Sequence, residues 1–285
     1  MYLRGFRRPE PDGTFDRVDA DPRNERLIGV DKSALQKLFD LSGRSAIITG
    51  GTRGIGSTLA EAFASAGAKV VVAGRDPESC DETEARLRGL GADALGVPTH
   101  LGRVEELQTL VDTTVDRFGG IDIVVNNAAN ALAQRLGKMT PEAFDKSFGV
   151  NVRGPLFLVQ AALPYLRVSE HAAVLNFASA AAFQFAPALS LYAAGKAALV
   201  SFTRSMAAEY ADDGIRVNAM APGPVDTDMV RKNPPEFIAA MAEQTLLRRI
   251  AKPEEMVGTA LLLCSDAGSY ITGQTFLVDG GIVAH

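Results

Sequence analysis

Tryptophan is absent from this 285-residue chain, which has only two cysteines and three histidines. Two cysteines, Cys80 and Cys264, cannot build the dense disulfide framework of a small secreted fold. The histidines, at positions 100, 171 and 285, lack ligand-like spacing, so no metal site is expected. No apolar run reaches the length of a membrane span. The N-terminus, Met1 to Arg8, turns charged at once and has no signal-peptide core. Acids at Glu10, Asp12, Asp16, Asp19 and Asp21 argue against a mitochondrial transit peptide. Cytoplasmic location is therefore the expectation. A net charge of −5 gives no reason to expect nucleic acid or an acidic membrane as partner. Residues 1 to about 30 are rich in Pro, Gly and mixed charge and read as a mobile arm. The expected organisation is an N-terminal extension over 1–40 and a dinucleotide-binding catalytic domain over 41–285.

What is present is a sequence of alternating apolar strands and amphipathic helices, the pattern of a doubly wound α/β sheet in a single domain. Strands are expected at 45–49, 69–74, 93–97, 121–126, 173–178, 215–220 and 275–279. Helices are expected at 55–66, 78–90, 103–118, 141–148, 152–167, 190–212, 235–245 and 253–264. The first strand runs straight into Gly50-Gly51-Thr52-Arg53-Gly54-Ile55-Gly56, and an amphipathic helix follows. Strand, glycine loop, helix is the context in which glycines let the backbone approach a pyrophosphate. The helix N-terminus then offers free N–H groups and positive partial charge. Lys69 to Gly74 completes the β-α-β unit. At the tip of that second strand, an acid would bind the ribose 2′-OH of NAD. Arg75 stands there instead, and Arg53 adds a second guanidinium, which suits the 2′-phosphate of NADP(H). Asp76, one place late, leaves NAD(H) open as the alternative.

Far downstream, Tyr192 and Lys196 lie four residues apart in an Ala-rich helical run, one turn above each other on one face. A free tyrosine has a pKa of about 10. A neighbouring ammonium favours phenolate and would bring the phenol toward a range where it trades protons at an alcohol or carbonyl oxygen. Such a pair is common by chance; paired with the glycine loop it is not.

These two motifs, in this order and about 140 residues apart, resemble the short-chain dehydrogenase/reductase family in its single-domain, Rossmann-like form. The resemblance covers Leu41 to the C-terminus. Asn126-Asn127-Ala128-Ala129 is similar to the family's N-N-A-G motif, with Ala129 in place of glycine. Asn151 and Ser179 match its catalytic asparagine and serine. Pro222-Gly223-Pro224-Val225-Asp226-Thr227 resembles the loop that cradles the nicotinamide. His100, followed by Leu101, stands where the family carries an acid beside adenine. It either contacts adenine or is a loop histidine without a role. The resemblance implies cofactor contacts from Gly50, Thr52, Arg53, Gly54, Ile55, Gly56, Arg75, His100, Leu101, Asn127, Ala128, Ala129, Tyr192, Lys196, Pro222, Gly223, Val225 and Thr227. It implies a catalytic set of Asn151, Ser179, Tyr192 and Lys196. Tyr192 would exchange a proton with the substrate oxygen, and Ser179 would hold that oxygen. Lys196 would lower the Tyr192 pKa and bind the nicotinamide ribose, and Asn151 would position a water. It also implies a homotetramer built through the helices near 152–167 and 190–212.

Two loops are expected to set specificity. Ala180 to Leu189 is almost uncharged, so Phe183 and Phe185 either wall a hydrophobic carbonyl or alcohol substrate or pack in the core. Asp228 to Arg249 is expected to fold over the site as a lid. Arg153 or Arg231 could dock an acyl carrier. The expected function is NADP(H)-dependent hydride transfer to or from a hydrophobic ketone, 3-oxoacyl-thioester-like compound or secondary alcohol. The alternatives are an NAD(H)-dependent alcohol dehydrogenase or 2-enoyl reductase of the same fold, and a redox-inactive NADP(H) sensor.

Overall fold

The structure is a computed structural model and describes residues 31–283. The arm expected over residues 1 to about 30, and His285, lie outside the described residues. The chain divides into two compact units, residues 1–36 and 37–285. The first helix, α1 (Lys32–Leu38), has no buried residue.

Seven strands form one sheet: β1 (Ser45–Thr49), β2 (Lys69–Gly74), β3 (Ala94–Pro98), β4 (Ile123–Asn126), β5 (Ala173–Phe177), β6 (Arg216–Pro222) and β7 (Thr275–Val278). Their order is β3-β2-β1-β4-β5-β6-β7, and every pairing is parallel. Connections run outward in both directions from β1 and β4. Their junction is the topological switch point, where the open crevice of such a sheet lies at the carboxyl ends of the strands. β1, β4 and β5 are buried at every position, as continuous apolar runs in a two-faced parallel sheet must be.

Alternation along the strands feeds two cores. Ala46, Ile48, Val70, Val72, Ile123, Val125 and Leu175 face one side. There they meet Leu59 and Phe63 of α2 (Gly54–Ser65), Leu87 of α3 (Pro77–Gly89) and Leu263 of α10 (Val257–Cys264). Ile47, Val71, Val124, Val174 and Val217 face the other. These pack on Leu110 of α4 (Val104–Phe118), Leu158 of α6 (Gly154–Leu166) and Met206 of α7 (Ser190–Glu209). Each fully buried side chain of this size contributes about 1.5–3 kcal/mol.

Two helices expected separately are one continuous helical stretch. A π-helical turn, Gly149–Arg153, joins α5 (Pro141–Phe148) to α6. Pro155 has no N–H to give the carbonyl four residues back, so the α pattern cannot run unbroken through Asn151. Past β6, the segment holds α8 (Asp228–Arg231) and α9 (Pro235–Glu243), neither with a buried residue.

A buried polar chain pins α7 to the sheet. Asn126 Nδ2 donates to Asn176 Oδ1 at 2.9 Å, Asn176 Nδ2 to Thr203 Oγ1 at 2.9 Å, and Thr203 Oγ1 to the Leu199 carbonyl at 2.8 Å. Asn126, Asn176 and Thr203 are all essentially inaccessible. Asn176→Ala would leave the Asn126 amide with only its 3.5 Å bond to the Pro155 carbonyl and take away the amide that donates to Thr203. A loss of about 1–3 kcal/mol per buried group left unpaired is expected, read as a lower urea midpoint. An unchanged midpoint would mean that the chain has no structural weight.

Candidate active site

The site grows from the end of β1. Thr49 is fully buried, and its hydroxyl accepts from the Asn127 and Ala128 N–H groups at 3.0 and 3.1 Å while donating to the Val125 carbonyl at 3.2 Å. Asn127 Nδ2 donates back to the Thr49 carbonyl at 2.9 Å and to the Gly50 carbonyl at 3.3 Å. The strand ends on either side of the switch point are thus stitched together. Gly50 and Gly54 have φ of 64° and 54°, conformations that L side chains rarely adopt. At Gly56 a Cβ would fall 2.1 Å from the Gly50 carbonyl oxygen. The loop therefore closes on itself and leaves no room for side chains. The α2 N-terminus it leads into has no side-chain cap and no acid in its first turn. Its free N–H groups fit a pyrophosphate.

Several of the other expected cofactor residues lie against this loop or next to it. A Cβ on Gly54 would lie 3.2 Å from Thr227 Cγ2, and one on Gly74 would lie 2.9 Å from Thr52 Cγ2. So the Pro222–Thr227 loop and the β2 tip, with Arg75, both adjoin the glycine loop. Gly223 packs on the backbone of Asp279, and Val225 is buried. Arg53 and Arg75 are exposed and make no ion pair with any described residue. Asp76 is occupied elsewhere: it caps α3, accepting from the Ser79 N–H at 3.3 Å and from the Ser79 hydroxyl. Those bonds hold its carboxyl below the usual range. The Leu101 side chain goes into the core. His100 follows Thr99, whose N–H donates to the Gly74 carbonyl at 2.6 Å, so it stands at the β2 tip, where its Nδ1 accepts from the Gly102 N–H at 3.1 Å.

Asn151, Ser179, Tyr192 and Lys196 come together on α7 and the elements beside it. Ser179 follows β5 and caps a short 3-10 turn, Ala180–Phe183, through the Ala181 N–H. Its hydroxyl lies close enough to the Tyr192 phenol to pull the phenol's pKa down. Lys196 is 1% exposed; its Nζ donates to the Phe177 carbonyl and lies 5.7 Å from the centre of the Tyr192 ring. Gly195 lets the π-helical turn close on α7, because a Cβ there would be 3.3 Å from Asn151 Cβ.

One expectation needs correction. The Tyr192 phenol is pushed up rather than down: burial outweighs the pull of the Ser179 hydroxyl. Burial also lowers the neighbouring Lys196 to about 8. The Asn151 side-chain amide is engaged within the fold. Its Oδ1 accepts from the Asn130 N–H at 3.0 Å, and its Nδ2 donates to the Asn130 carbonyl at 2.9 Å and to Ser147 Oγ at 3.2 Å. The Asn151 carbonyl is the group left without an α-helical donor, since residue 155 is proline. Asn130 and Ser147 were missed in the sequence. Nothing marks either beyond Asn130 following the Asn-Asn-Ala-Ala motif directly.

The two loops expected to set specificity carry exposed apolar side chains. Phe183 is 37% and Phe185 99% exposed, which excludes core packing for both. Met229, Phe237, Leu246 and Leu247 are exposed on the 228–249 segment. The arginines expected to dock a carrier are engaged within the fold. Arg231 pairs with Asp226, Arg248 with Glu243 and Arg249 with Glu255, and Arg153 donates to the Gly102 carbonyl. A cavity of about 160 Å³ behind the Pro222–Thr227 loop is lined by Gly223, Thr245, Leu247 and Asp279 and does not include Tyr192. Among the described residues, no three His, Cys, Asp or Glu side chains cluster as a metal site would, and no helix is long and apolar enough to cross a membrane.

A glycine loop at a switch point, with a serine, a tyrosine and a buried lysine beside it, defines a nucleotide-dependent oxidoreductase. A family model described as enoyl-(acyl carrier protein) reductase matches residues 50–283. Dehydrogenase/reductase SDR family member 4 of Pongo abelii is 37% identical over 252 residues, 87% of this chain and 91% of the relative. The uncharacterized oxidoreductase YhdF of Bacillus subtilis is 40% identical over 244 residues, 85% and 84% of the two chains. A crystal structure of a putative NAD(P)-dependent gluconate 5-dehydrogenase from Beutenbergia cavernae, with NADP bound at low occupancy, superposes with a TM-score of 0.82. It is 32% identical, covering 87% of this chain and all of that one (100%). The chain belongs to the short-chain dehydrogenase/reductase family and is an NAD(P)-dependent oxidoreductase.

The depressed lysine has a measurable consequence. Folded Lys196 loses its proton near pH 8, whereas in the unfolded chain it does so near 10.5. Between those values the unfolded chain binds more protons, so this group makes stability rise with pH across that window. Below pH 8 both states are charged and the folded one bears the whole burial cost. Relative to Lys196→Met, the wild type is expected to gain on the order of 2–3 kcal/mol from about pH 7 to about pH 10, by urea unfolding. A difference that does not move with pH would mean that Lys196 titrates normally.

Proposed function

We propose that this protein is an NADP(H)-dependent oxidoreductase that interconverts a hydrophobic ketone or 3-oxoacyl-thioester-like compound and its secondary alcohol. The observation that carries this assignment is the meeting of Ser179, Tyr192 and the buried Lys196 beside the self-closing glycine loop. Bound NADP(H) supplies or accepts the hydride. The Ser179 hydroxyl, able to donate and accept, holds the substrate oxygen next to the phenol. Tyr192, kept protonated at neutral pH by its raised pKa, gives its proton to the developing alkoxide in the reducing direction. Lys196 places a positive charge next to the phenol, which offsets the phenolate as it forms. Water held by the Asn151 carbonyl would return the proton to Lys196.

NADP(H) over NAD(H) is supported by Arg53 and Arg75, both exposed beside the glycine loop, and by Asp76 being tied into the α3 cap. The apolar, exposed Phe185, Met229 and Phe237 favour a hydrophobic substrate. A homotetramer fits the exposed Phe144, Phe157 and Phe202 on α5, α6 and α7. The second reading, 2-enoyl reduction, is favoured by the description of the matching family. The four-residue spacing of Tyr192 and Lys196 weighs against it. A redox-inactive sensor would have no use for a lysine buried against its own ionisation.

The test is fluorescence titration with NADPH and NADH, followed by a carbonyl screen. Arg75→Asp is expected to weaken NADPH binding about tenfold or more and to spare NADH. Tyr192→Phe is expected to lower kcat by roughly 10²–10⁴-fold. Equal NADPH and NADH affinity in the wild type would overturn the cofactor assignment, and an active Tyr192→Phe would overturn the catalytic one.

A further inference from the structure

We infer that Asn130 is a positioning residue for the reaction, its side chain tying the end of α5 to Asn151 and so fixing the π-helical turn against α7 beside Lys196. The inference rests on the role proposed above for Asn151. Asn130 is half-buried, and Asn151 and Ser147 are fully buried. The Asn130 main chain takes both ends of the Asn151 amide, as an acceptor at 2.9 Å and a donor at 3.0 Å. Any residue at position 130 could do that much. What asparagine adds is a bridge. Its Oδ1 accepts from Asn151 Nδ2 at 3.3 Å while its Nδ2 donates to the Lys146 carbonyl at 3.1 Å. Lys146 is in the last turn of α5, directly before the backbone switches to the wider turn. Such a turn has fewer internal bonds to hold its shape than the α-helix on either side. The Asn130 side chain is an external brace across that weak point. The braced residue lies close against Gly195, the neighbour of Lys196: a Cβ added there would fall 3.3 Å from Asn151 Cβ. A slack turn would shift the Asn151 carbonyl relative to the lysine without disturbing the glycine loop or the sheet.

A variant that leaves the main-chain pair intact isolates the brace. Asn130→Ala is expected to lower kcat about tenfold for the best carbonyl of the screen, since small misplacements of catalytic groups are costly. NADPH affinity and the thermal midpoint should stay close to wild type. The discriminating readout is a double-mutant cycle with Asn151→Ala. If Asn130 acts through Asn151, Asn130→Ala costs nothing further in the Asn151→Ala background. Amide exchange over residues 147–155 should rise in Asn130→Ala while the glycine-loop amides hold. Should the alanine variant not fold, Asn130→Asp keeps the acceptor toward Asn151, loses the donor to Lys146, and is read in the same cycle. Wild-type kcat in Asn130→Ala, or losses that multiply with those of Asn151→Ala, would overturn the inference. If Tyr192→Phe is itself active, the proposed function has failed instead, so the two failures are distinguishable.

Discussion

The hydroxyl of Thr49 is the small interaction on which the site depends. It sits at the end of the strand where chain direction diverges, and it accepts two backbone N–H groups from the neighbouring strand end. Without that acceptor, the Ala128 N–H would lose its partner and the Asn127 N–H would keep only the Val125 carbonyl, at the one place where the crevice must open. With it, Asn127 is held close enough for its amide to grip the glycine loop from the other side. The glycine loop, the Asn-Asn-Ala-Ala segment and the α2 N-terminus then behave as one rigid cradle. The catalytic helix α7 is registered to the same sheet by a second polar chain, through Asn126, Asn176 and Thr203. Cofactor cradle and proton-transfer groups thus refer to a common frame.

Much of this was legible in the residues. Strands such as Val70-Val71-Val72 are continuous apolar runs because both faces are covered, and that pattern marks a parallel sheet directly. The glycine loop was legible because Gly50, Gly54 and Gly56 are needed for backbone conformation and clearance, which no other residue type supplies. Asn130 was not legible, since its role lies in a three-way contact between segments that only folding brings together. The π-helical turn was half legible: Pro155 announces a break, but a break alone reads as the end of one helix and the start of another. For Tyr192, spacing alone predicts a lowered pKa, whereas burial raises it. Proximity predicts mutual help between the two groups. Burial, which a sequence does not print, penalises both charges and outweighs it here.

Lys196 shows a conflict between folding and chemistry. An apolar side chain of similar length would sit more comfortably at a position with 1% exposure. The lysine persists against a pull on its pKa from 10.5 to about 8, with one backbone carbonyl, that of Phe177, as its partner. Charges held under such conditions are concentrated where a reaction needs them. The fold absorbs the cost through two large cores on either side of the sheet.

The segment carrying α8 and α9 stands apart from all of this. Neither helix buries a residue, and the arginines around them are satisfied by acids within reach along the chain, Asp226, Glu243 and Glu255. Mutation there draws on almost none of the stability that holds the cradle. A segment so lightly invested in the core can exchange its side chains without loosening the frame that the strands and the glycine loop share.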